Sequence, residues 1–292
     1  MGIVESYKRY KNAYKNPLSV MFSIYRNKSD IHVVLSDGNE LTFTSNYCTN
    51  YSLYYDHKLG NILEYSENKI DYLEFLSNGK NVKLFGVREG NGDVFGVFIN
   101  EDYKQLDFDN EIVIDIGANI GDSAIYFALN GAKKVIALEP TPYSYDFAVK
   151  NINFNGCDEK VTILNAGYGI DGEIKVDEDK ITNASTSLEA SQQGRSIKLY
   201  SLKTLIEQMA FNNNLVLKMD CEGCEYALLK EDLDTLKKIK RMKIEYHYGY
   251  ETLVDRLRES NFKVQFTKPI KRYNRDAANP NMKVGMIFAE RL

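Results

Sequence analysis

The stretch Ile112-Val-Ile-Asp-Ile-Gly-Ala-Asn-Ile-Gly-Asp122 decides the fold expected for this chain. It opens with a β-branched run of the kind that forms a strand buried on both faces of a sheet. Glycines at 117 and 121 then allow a tight turn, and the apolar run at 123–130 indicates a helix that ends at Gly131. A buried strand, a glycine turn and a helix together predict the first unit of a parallel α/β sheet.

The same alternation of strands and helices continues towards the C-terminus. Further strands are expected, in chain order, at 135–139, 161–165, 215–220, 242–247, 263–266 and 284–289. Helices are expected at 145–154, after Gly223 and at 252–260, and a loop-rich stretch is expected between the strands at 161–165 and 215–220. The sequence therefore predicts a doubly wound, Rossmann-like, mostly parallel sheet of seven strands in which the last two form an antiparallel closing pair.

The segment before this domain has a different character. Residues 1–108 are rich in Tyr, Asn and Lys and lack regular alternation, so we expect an N-terminal α+β extension ahead of a main domain at 109–292. Two short helices are predicted on either side of Pro17, the first with a tyrosine stripe at Tyr7, Tyr10 and Tyr14 as its packing face. Two β-hairpins are predicted, joining 31–35 to 41–44 and 82–87 to 94–99.

The composition is that of a globular protein without a strong charge bias. Of the 292 residues, 43% are hydrophobic and 27% are charged, and the formal net charge is -4. Because no overall positive field exists, a nucleic acid is not favoured as a partner. No apolar run reaches the roughly 18 residues of a membrane span, and the N-terminus lacks the apolar core of a signal peptide. We therefore expect a cytoplasmic protein without a membrane partner.

Polar side chains follow the predicted parallel strands at the points where those strands end. In a doubly wound sheet, ligands bind outside the carboxyl ends of the strands, and the helix after a glycine turn offers its free amides there. The sequence thus predicts a cofactor site formed by Asp115, Gly117, Asn119, Gly121, Glu139 and Asn165.

Two classes of nucleoside cofactor use such a glycine turn, and the spacing separates them. A dinucleotide turn, Gly-x-Gly-x-x-Gly counted from Gly117, needs glycine where Asn119 and Asp122 stand. Asp115 would also repel a pyrophosphate, whereas it suits the cationic sulfonium and ammonium of S-adenosylmethionine. Glu139, about twenty residues further on, can accept ribose hydroxyls in either class. The turn therefore favours S-adenosylmethionine.

Four segments between about residue 110 and the C-terminus form a recognisable set. They are Val113-Ile-Asp-Ile-Gly-Ala-Asn-Ile-Gly-Asp122, Leu138-Glu-Pro140, Asn151-Ile-Asn-Phe-Asn-Gly156 and Lys218-Met-Asp-Cys-Glu-Gly-Cys-Glu-Tyr226. Together they resemble the FkbM family of methyltransferases. The last contains all five fixed positions of the family's Lys-x-Asp-x-Glu-Gly-x-Glu segment. The Glu245-Tyr-His247 ending also resembles the family, whereas Lys203 stands where members commonly carry an acidic residue.

This resemblance implies a class I methyltransferase sheet, S-adenosylmethionine as cofactor and a hydroxyl oxygen as acceptor, often on a saccharide or other small molecule. Removing the hydroxyl proton needs a base. The candidates around the reacting oxygen are Asp220, Glu222, Glu245 and His247. His247 fits either a base near neutral pH or a structural histidine, and Asp220 fits either cofactor binding or a cation shared with Glu222. Glu222 and Glu225 also fit carboxylates that only offset a helix dipole.

The Cys221-Glu-Gly-Cys224 segment leaves other functions open. A Cys-x-x-Cys that opens a helix is also the layout of a thiol redox site, so a non-catalytic or thiol-redox protein on the same scaffold is an alternative. An RNA or protein methyltransferase is a third. Because these cysteines fill variable positions of the family segment, we expect small reduced thiols, as for Cys48 and Cys157. No second ligand pair at metal spacing accompanies them, so no metal site is predicted. The oligomeric state is not indicated.

Overall fold

The computed structural model describes residues 3–56, 65–66, 69–70, 72–87, 93–177, 191, 193–209, 214–269 and 282–292. The chain divides into two compact units, Met1–Asp102 and Tyr103–Leu292, a few residues before the boundary expected at 108/109. Among the described residues, no helix is long and apolar enough to span a membrane.

The N-terminal unit combines four helices with short antiparallel strand pairs within its described residues. Its helices are α1 (Ile3–Ala13), α2 (Pro17–Tyr25), α3 (Ser45–Asp56) and α4 (Asp93–Phe98). Its strands are β1 (Ile31–Val34), β2 (Glu40–Phe43), β3 (Tyr65–Ser66), β4 (Lys69–Ile70), β5 (Tyr72–Ser77) and β6 (Lys80–Phe85). The two helices around Pro17 and the β1–β2 hairpin are confirmed. Tyr10 and Tyr14 are buried, as expected for a packing face.

The second predicted hairpin is wrong. Strand β6 pairs with β5 across Asn78-Gly79, a turn in which both residues have positive φ, and 93–98 form helix α4 instead of a strand. Val94, Val97 and Phe98 are buried at helical spacing. The run is short and rich in β-branched and aromatic residues, so its sequence fits a strand equally well. Residues 88–92 of the expected turn lie outside the described part of the chain.

The second unit contains the predicted seven-stranded sheet. Its strands are β7 (Ile112–Ile116), β8 (Lys134–Leu138), β9 (Val161–Leu164), β13 (Leu215–Met219), β14 (Ile239–Tyr246), β15 (Phe262–Phe266) and β16 (Gly285–Arg291). The strand order is β15-β16-β14-β13-β7-β8-β9. The pairs from β14 to β9 are all parallel, and β16 lies antiparallel between β14 and β15. The predicted parallel core and antiparallel closing pair are confirmed.

The remaining described elements of this unit are helices, short 3-10 helices and a second sheet. The helices are α5 (Asp122–Leu129), α6 (Pro142–Phe154), α7 (Leu202–Gln208), α8 (Leu233–Leu236) and α9 (Glu251–Glu259). Short 3-10 helices span Lys104–Leu106 and Cys224–Lys230. A second sheet contains β10 (Gly167–Tyr168), β11 (Gly172–Val176) and β12 (Arg195–Tyr200), where the sequence indicated a loop-rich stretch; residues 178–190 of that stretch lie outside the described chain.

The order of the sheet brings four carboxyl ends together. Strands β8, β7, β13 and β14 are consecutive neighbours and run in the same direction, so the chain leaves them along one edge. Every residue of β13 is buried, which is what a central parallel strand requires. The segments that leave β7, β8, β13 and β14 therefore carry the candidate site.

Candidate active site

The turn after β7 is held in a conformation that only its glycines and an asparagine adopt readily. Gly117, Asn119 and Gly121 all have positive φ, at 79°, 48° and 84°. The amides of Gly117 and Ala118 both donate to the carbonyl oxygen of Leu138 at 3.0 Å. On the other side, the buried amide of Asn151 on α6 donates to the carbonyl oxygen of Ile120 at 2.8 Å. We call residues 117–121 the glycine loop.

A buried ion pair lies beneath the glycine loop. The Lys218 ammonium lies 3.0 Å from Asp115 Oδ1 and donates to the carbonyl oxygen of Gly117 at 2.7 Å, while Ser123 Oγ donates to Asp115 Oδ2 at 2.6 Å. Burial lowers the pKa of Lys218, but Asp115 and Asp220 outweigh it and raise the pKa above its ordinary value. The negative charge of Asp115, which was expected to face a cofactor cation, is thus paired with Lys218.

The loop and the end of β8 share a second carboxylate, Glu139. Its Oε2 accepts the amide of Asn119 and its Oε1 accepts the amide of Thr141, both at 2.8 Å. Burial raises the pKa of Glu139 to about 7, although the two amide hydrogen bonds lower it. The side chain of Asn165 donates to the carbonyl oxygen of Glu139 at 2.9 Å, which places this residue at the same strand ends.

Asp122, the first residue of α5, offers a buried acceptor that sequence reasoning missed. Among the described residues, no donor lies within hydrogen-bond distance of its Oδ2, and the side chain is buried. Burial raises the pKa of Asp122 to about 6 against the lowering effect of Lys218. An orphaned carboxylate oxygen beside a glycine loop fits a ligand that carries a cationic group, such as the ammonium of S-adenosylmethionine.

Asp220, Glu222 and His247 form a second group, which we call the acid–histidine cluster. The candidate ligand atoms of these three side chains all lie within 4.8 Å of one another. Glu222 Oε2 is 3.4 Å and Asp220 Oδ1 is 4.0 Å from His247 Nε2. Asp220 and Glu222 follow β13, and His247 follows the neighbouring β14. Glu245, expected beside them, lies within β14 and does not belong to this group.

The imidazole of His247 is held from behind by Glu225, which is fully buried. Glu225 Oε1 accepts the backbone amide of His247 at 2.8 Å and faces its Nδ1 at 3.2 Å, and Glu225 Oε2 accepts the amide of Gly223 at 2.9 Å. The interpretation of Glu225 as a carboxylate that only offsets a helix dipole is therefore wrong. Its partners are His247, directly after β14, and Gly223 in the preceding turn.

These contacts determine the charge of His247. Burial lowers the pKa of the imidazole, but the hydrogen bond to Glu225 and the charges of Glu225, Glu222 and Asp220 outweigh it and raise the pKa to about 9. The ring is therefore protonated at neutral pH in this arrangement. The assignment of His247 as the base stays a prediction.

The cysteines that flank Glu222 also differ from expectation. Cys221 and Cys224 form a disulfide, so the prediction of reduced thiols is wrong for this pair, whereas Cys48 and Cys157 are free and buried. Glu222 and Gly223 have positive φ at 54° and 117°, and the tight turn they make leaves the two cysteine Cα atoms 5.5 Å apart. That separation lies in the usual range of about 4.4–6.8 Å for disulfides.

The glycine loop and the acid–histidine cluster are direct neighbours. The amide of Asp220 donates to the carbonyl oxygen of Ile116 at 3.0 Å. A Cβ placed on Gly117 would lie only 1.8 Å from the carbonyl oxygen of Asp220. The structure thus brings the predicted cofactor turn and three of the four predicted catalytic residues to one place.

Lys218 and Glu225 gain roles that sequence reasoning had not assigned. The signal for Lys218 was a lysine in the otherwise apolar run Leu215-Val-Leu-Lys-Met219, since a buried charge requires a partner. Glu225 gave no such signal, because its partners are fixed only by the tertiary fold.

This topology and this site define the class I methyltransferase fold: a parallel core with one antiparallel strand inserted, a glycine loop after the first core strand and an acidic residue at the end of the next. The Methyltransferase FkbM domain family matches residues 115–264, just over half of the chain. The chain belongs to the FkbM family of S-adenosylmethionine-dependent methyltransferases. The family, fold class and cofactor predicted from the sequence are confirmed.

Individual relatives match parts of the chain. Hexuronic acid methyltransferase AglP of Haloferax volcanii is 25% identical over 165 residues, which cover 55% of this chain and 66% of that protein. A tRNA(Phe) (4-demethylwyosine(37)-C(7)) aminocarboxypropyltransferase of Pyrococcus horikoshii is 38% identical over 56 residues, 19% of this chain and 20% of that enzyme. The matches therefore span less than two thirds of the length of either relative.

Solved structures match the chain at low identity and with TM-scores below 0.5. The crystal structure of M. jannaschii TYW2 in complex with AdoMet has a TM-score of 0.42 and 20% identity, covering 80% of this chain and 90% of that one. An rRNA methylase from Streptococcus thermophilus has a TM-score of 0.40 and 12% identity, covering 68% and 96%.

Proposed function

We propose that this chain transfers the methyl group of S-adenosylmethionine to a hydroxyl oxygen of a saccharide or similar small metabolite. The observation that carries the proposal is the contact between the glycine loop and the acid–histidine cluster at Gly117 and Asp220. A cofactor site beside a polar cluster of carboxylates is what methyl transfer to an alcohol requires.

The residues around the glycine loop supply the cofactor contacts. Glu139, fixed by the amides of Asn119 and Thr141, accepts ribose hydroxyls. The orphaned oxygen of Asp122 accepts the cofactor's ammonium. Asp115 acts from beneath the loop, because its carboxylate is fully buried against Lys218. Asn165 keeps the end of β8 in place through its hydrogen bond to Glu139.

The acid–histidine cluster takes the acceptor. S-adenosylmethionine supplies a methyl group on a positively charged sulfur. Overall, the carbon–sulfur bond is exchanged for a carbon–oxygen bond, S-adenosylhomocysteine is released, and the hydroxyl proton leaves the acceptor. Asp220 and Glu222, whose side chains are 29% and 21% exposed, are the groups placed to accept that proton. His247, held by Glu225, orients these two carboxylates and offsets their negative charge.

Two observations support the saccharide class. The chain is 25% identical to a hexuronic acid methyltransferase over 165 residues. Its net charge of -4 gives no general attraction for RNA, the acceptor that the tRNA- and rRNA-modifying relatives suggest as a second candidate.

Calorimetric titration of the purified chain with S-adenosylhomocysteine tests the cofactor site, and methyl transfer from labelled S-adenosylmethionine to a panel of saccharides and to tRNA tests the acceptor. We expect binding of one cofactor per chain and a methyl ether on a saccharide. Asp220→Asn should remove methyl transfer and retain cofactor binding, whereas Asp234→Asn, on exposed α8, should change neither. Absence of cofactor binding, or labelling of tRNA alone, would contradict the proposal.

A further inference from the structure

The acid–histidine cluster has the composition of a metal site. Two carboxylates and one imidazole present ligand atoms within 4.8 Å of one another. The two carboxylates come from the segment after β13 and the imidazole from the segment after β14, so the parallel pairing of these strands brings the three together. Imidazole nitrogen with carboxylate oxygen is a donor set that Mn²⁺, Fe²⁺ and Zn²⁺ accept.

The spacing of the ligand atoms fits a shared cation. Two ligands that each lie about 2.1 Å from an ion at a tetrahedral angle are about 3.4 Å apart. His247 Nε2 and Glu222 Oε2 are 3.4 Å apart, which is longer than an ordinary N–H···O hydrogen bond. Asp220 Oδ1 lies 4.0 Å from Nε2 and would reach the position of the shared cation after a small rotation of its side chain. That side chain is exposed enough to turn.

An independent observation comes from the far side of the imidazole. Glu225, fully buried, faces Nδ1 at 3.2 Å and is itself fixed by the amides of His247 and Gly223. A carboxylate only accepts hydrogen bonds, so Nδ1 carries the hydrogen and Nε2 is directed at Asp220 and Glu222. Metal-binding histidines almost always donate their second nitrogen to a carboxylate, carbonyl or water in this way.

We propose that Asp220, Glu222 and His247 bind one divalent transition-metal cation, with Glu225 as the residue that orients His247. Binding itself follows from these side chains alone, and its role in methyl transfer rests on the proposed function. A cation held beside the acceptor supplies positive charge that lowers the pKa of a hydroxyl next to it. His247 would release its Nε2 proton to solvent when the cation binds, because only the neutral imidazole is a metal ligand. With Asp220 and Glu222 holding the cation, the hydroxyl proton of the acceptor would leave to water.

Manganese is the probe that tests the site directly. The 292-residue chain without a tag is stripped with EDTA and dialysed, Mn²⁺ is added, and the free ion is followed by its electron paramagnetic resonance signal. We expect one Mn²⁺ bound per chain and its displacement by Zn²⁺. His247→Gln and Asp220→Asn should each abolish binding, and Glu225→Gln should weaken it about 10- to 100-fold, the usual effect of losing an orienting partner.

Controls separate this proposal from the proposed function and from misfolding. Asp234→Asn should bind Mn²⁺ like the unaltered chain, and every variant should keep its circular dichroism spectrum and its affinity for S-adenosylhomocysteine. Glu222→Gln provides a second ligand test at a partly exposed position, where substitution leaves the core intact. If the unaltered chain binds neither Mn²⁺ nor Zn²⁺, or if Asp220→Asn and His247→Gln bind them equally well, the metal site is overturned. Cofactor binding and methyl transfer would still be tested separately by their own assays.

Discussion

The ammonium of Lys218 lies 3.0 Å from the carboxylate of Asp115, and both side chains are buried in the centre of the sheet. Lys218 also donates to the carbonyl oxygen of Gly117, so one side chain of β13 holds both the end of β7 and the start of the glycine loop. The shape of the cofactor turn therefore depends on a charge pair that no ligand is expected to touch.

Removing one partner of this pair should be strongly destabilising. Lys218→Met keeps a similar length but leaves the carboxylate of Asp115 buried without its cation, and we expect a loss of about 3–5 kcal/mol in the free energy of unfolding. Urea denaturation followed by circular dichroism measures it. Lys237→Met, which removes an exposed lysine paired with Asp234, should cost less than about 1 kcal/mol. Equal effects of the two substitutions would show that the buried pair is not important for stability.

Gly117 and Gly156 offer a matched test of the close contact between the two halves of the site. Both have positive φ, but a Cβ at 156 meets open space, whereas a Cβ at 117 would overlap the carbonyl oxygen of Asp220. Gly156→Ala should cost only the conformational penalty of about 1–2 kcal/mol and leave cofactor affinity unchanged.

Gly117→Ala, in contrast, should push the glycine loop away from Asp220. We expect methyl transfer to fall about a hundredfold, the scale for a displacement of about 1 Å, together with weaker binding of S-adenosylhomocysteine. Calorimetry and an initial-rate assay measure the two effects. A variant that keeps both values would argue against the contact.

The raised pKa of Glu139 predicts a pH-dependent cofactor affinity. If the ionised carboxylate accepts the ribose hydroxyls, affinity for S-adenosylhomocysteine should be about tenfold weaker at pH 6 than above pH 8, because the pKa lies at about 7. Glu139→Gln should remove this change in affinity between pH 6 and pH 8. A flat profile for the unaltered chain would contradict the assigned role.

Glu139 should also make stability depend on pH, in the opposite direction: rising pH strengthens cofactor binding but lowers the free energy of unfolding. The folded chain holds the Glu139 proton up to about pH 7, whereas the unfolded chain releases it near 4.5. The free energy contributed by this group therefore falls as pH rises from 4.5 to 7, when the cofactor is absent. Denaturant titrations at several pH values should show a shallower fall for Glu139→Gln.

The sequence predicted the parts of the fold that depend on local pattern. The strand at 112–116 and the glycine turn could be located because buried parallel strands are continuous apolar runs and because positive φ selects glycine. The prediction for 93–98 is wrong, because a run of six residues in which all but Asp93 are valine, phenylalanine or glycine fits a strand as well as a helix. Its burial pattern became visible only in the folded unit.

The site was predicted less completely, for a physical reason. The ends of parallel strands meet at one edge, so Asp220 and His247 could be placed together from the sequence. Which carboxylate faces which atom depends on turns such as that at Glu222 and Gly223, which spacing does not determine. The partners of Glu225 and the charge of His247 follow from those turns.

The disulfide between Cys221 and Cys224 closes the turn that carries Glu222 into the acid–histidine cluster. Denatured but unreduced protein should therefore show two reactive thiols, from Cys48 and Cys157, and four after reduction. Closing so short a loop stabilises the chain by about 2 kcal/mol on the chain-entropy relation.

Freeing this turn should affect the metal site more than the cofactor site. In the Cys221→Ser/Cys224→Ser variant, Glu222 is no longer held at its positive φ, so Mn²⁺ affinity should fall. Affinity for S-adenosylhomocysteine should persist, because the glycine loop is fixed by Leu138, Asn151 and Lys218 instead. Cys48→Ser, at a free thiol of the N-terminal unit, is the matched control and should leave both affinities unchanged. If the double variant lost cofactor binding and kept its Mn²⁺ affinity, the turn would support the cofactor site and not the metal site.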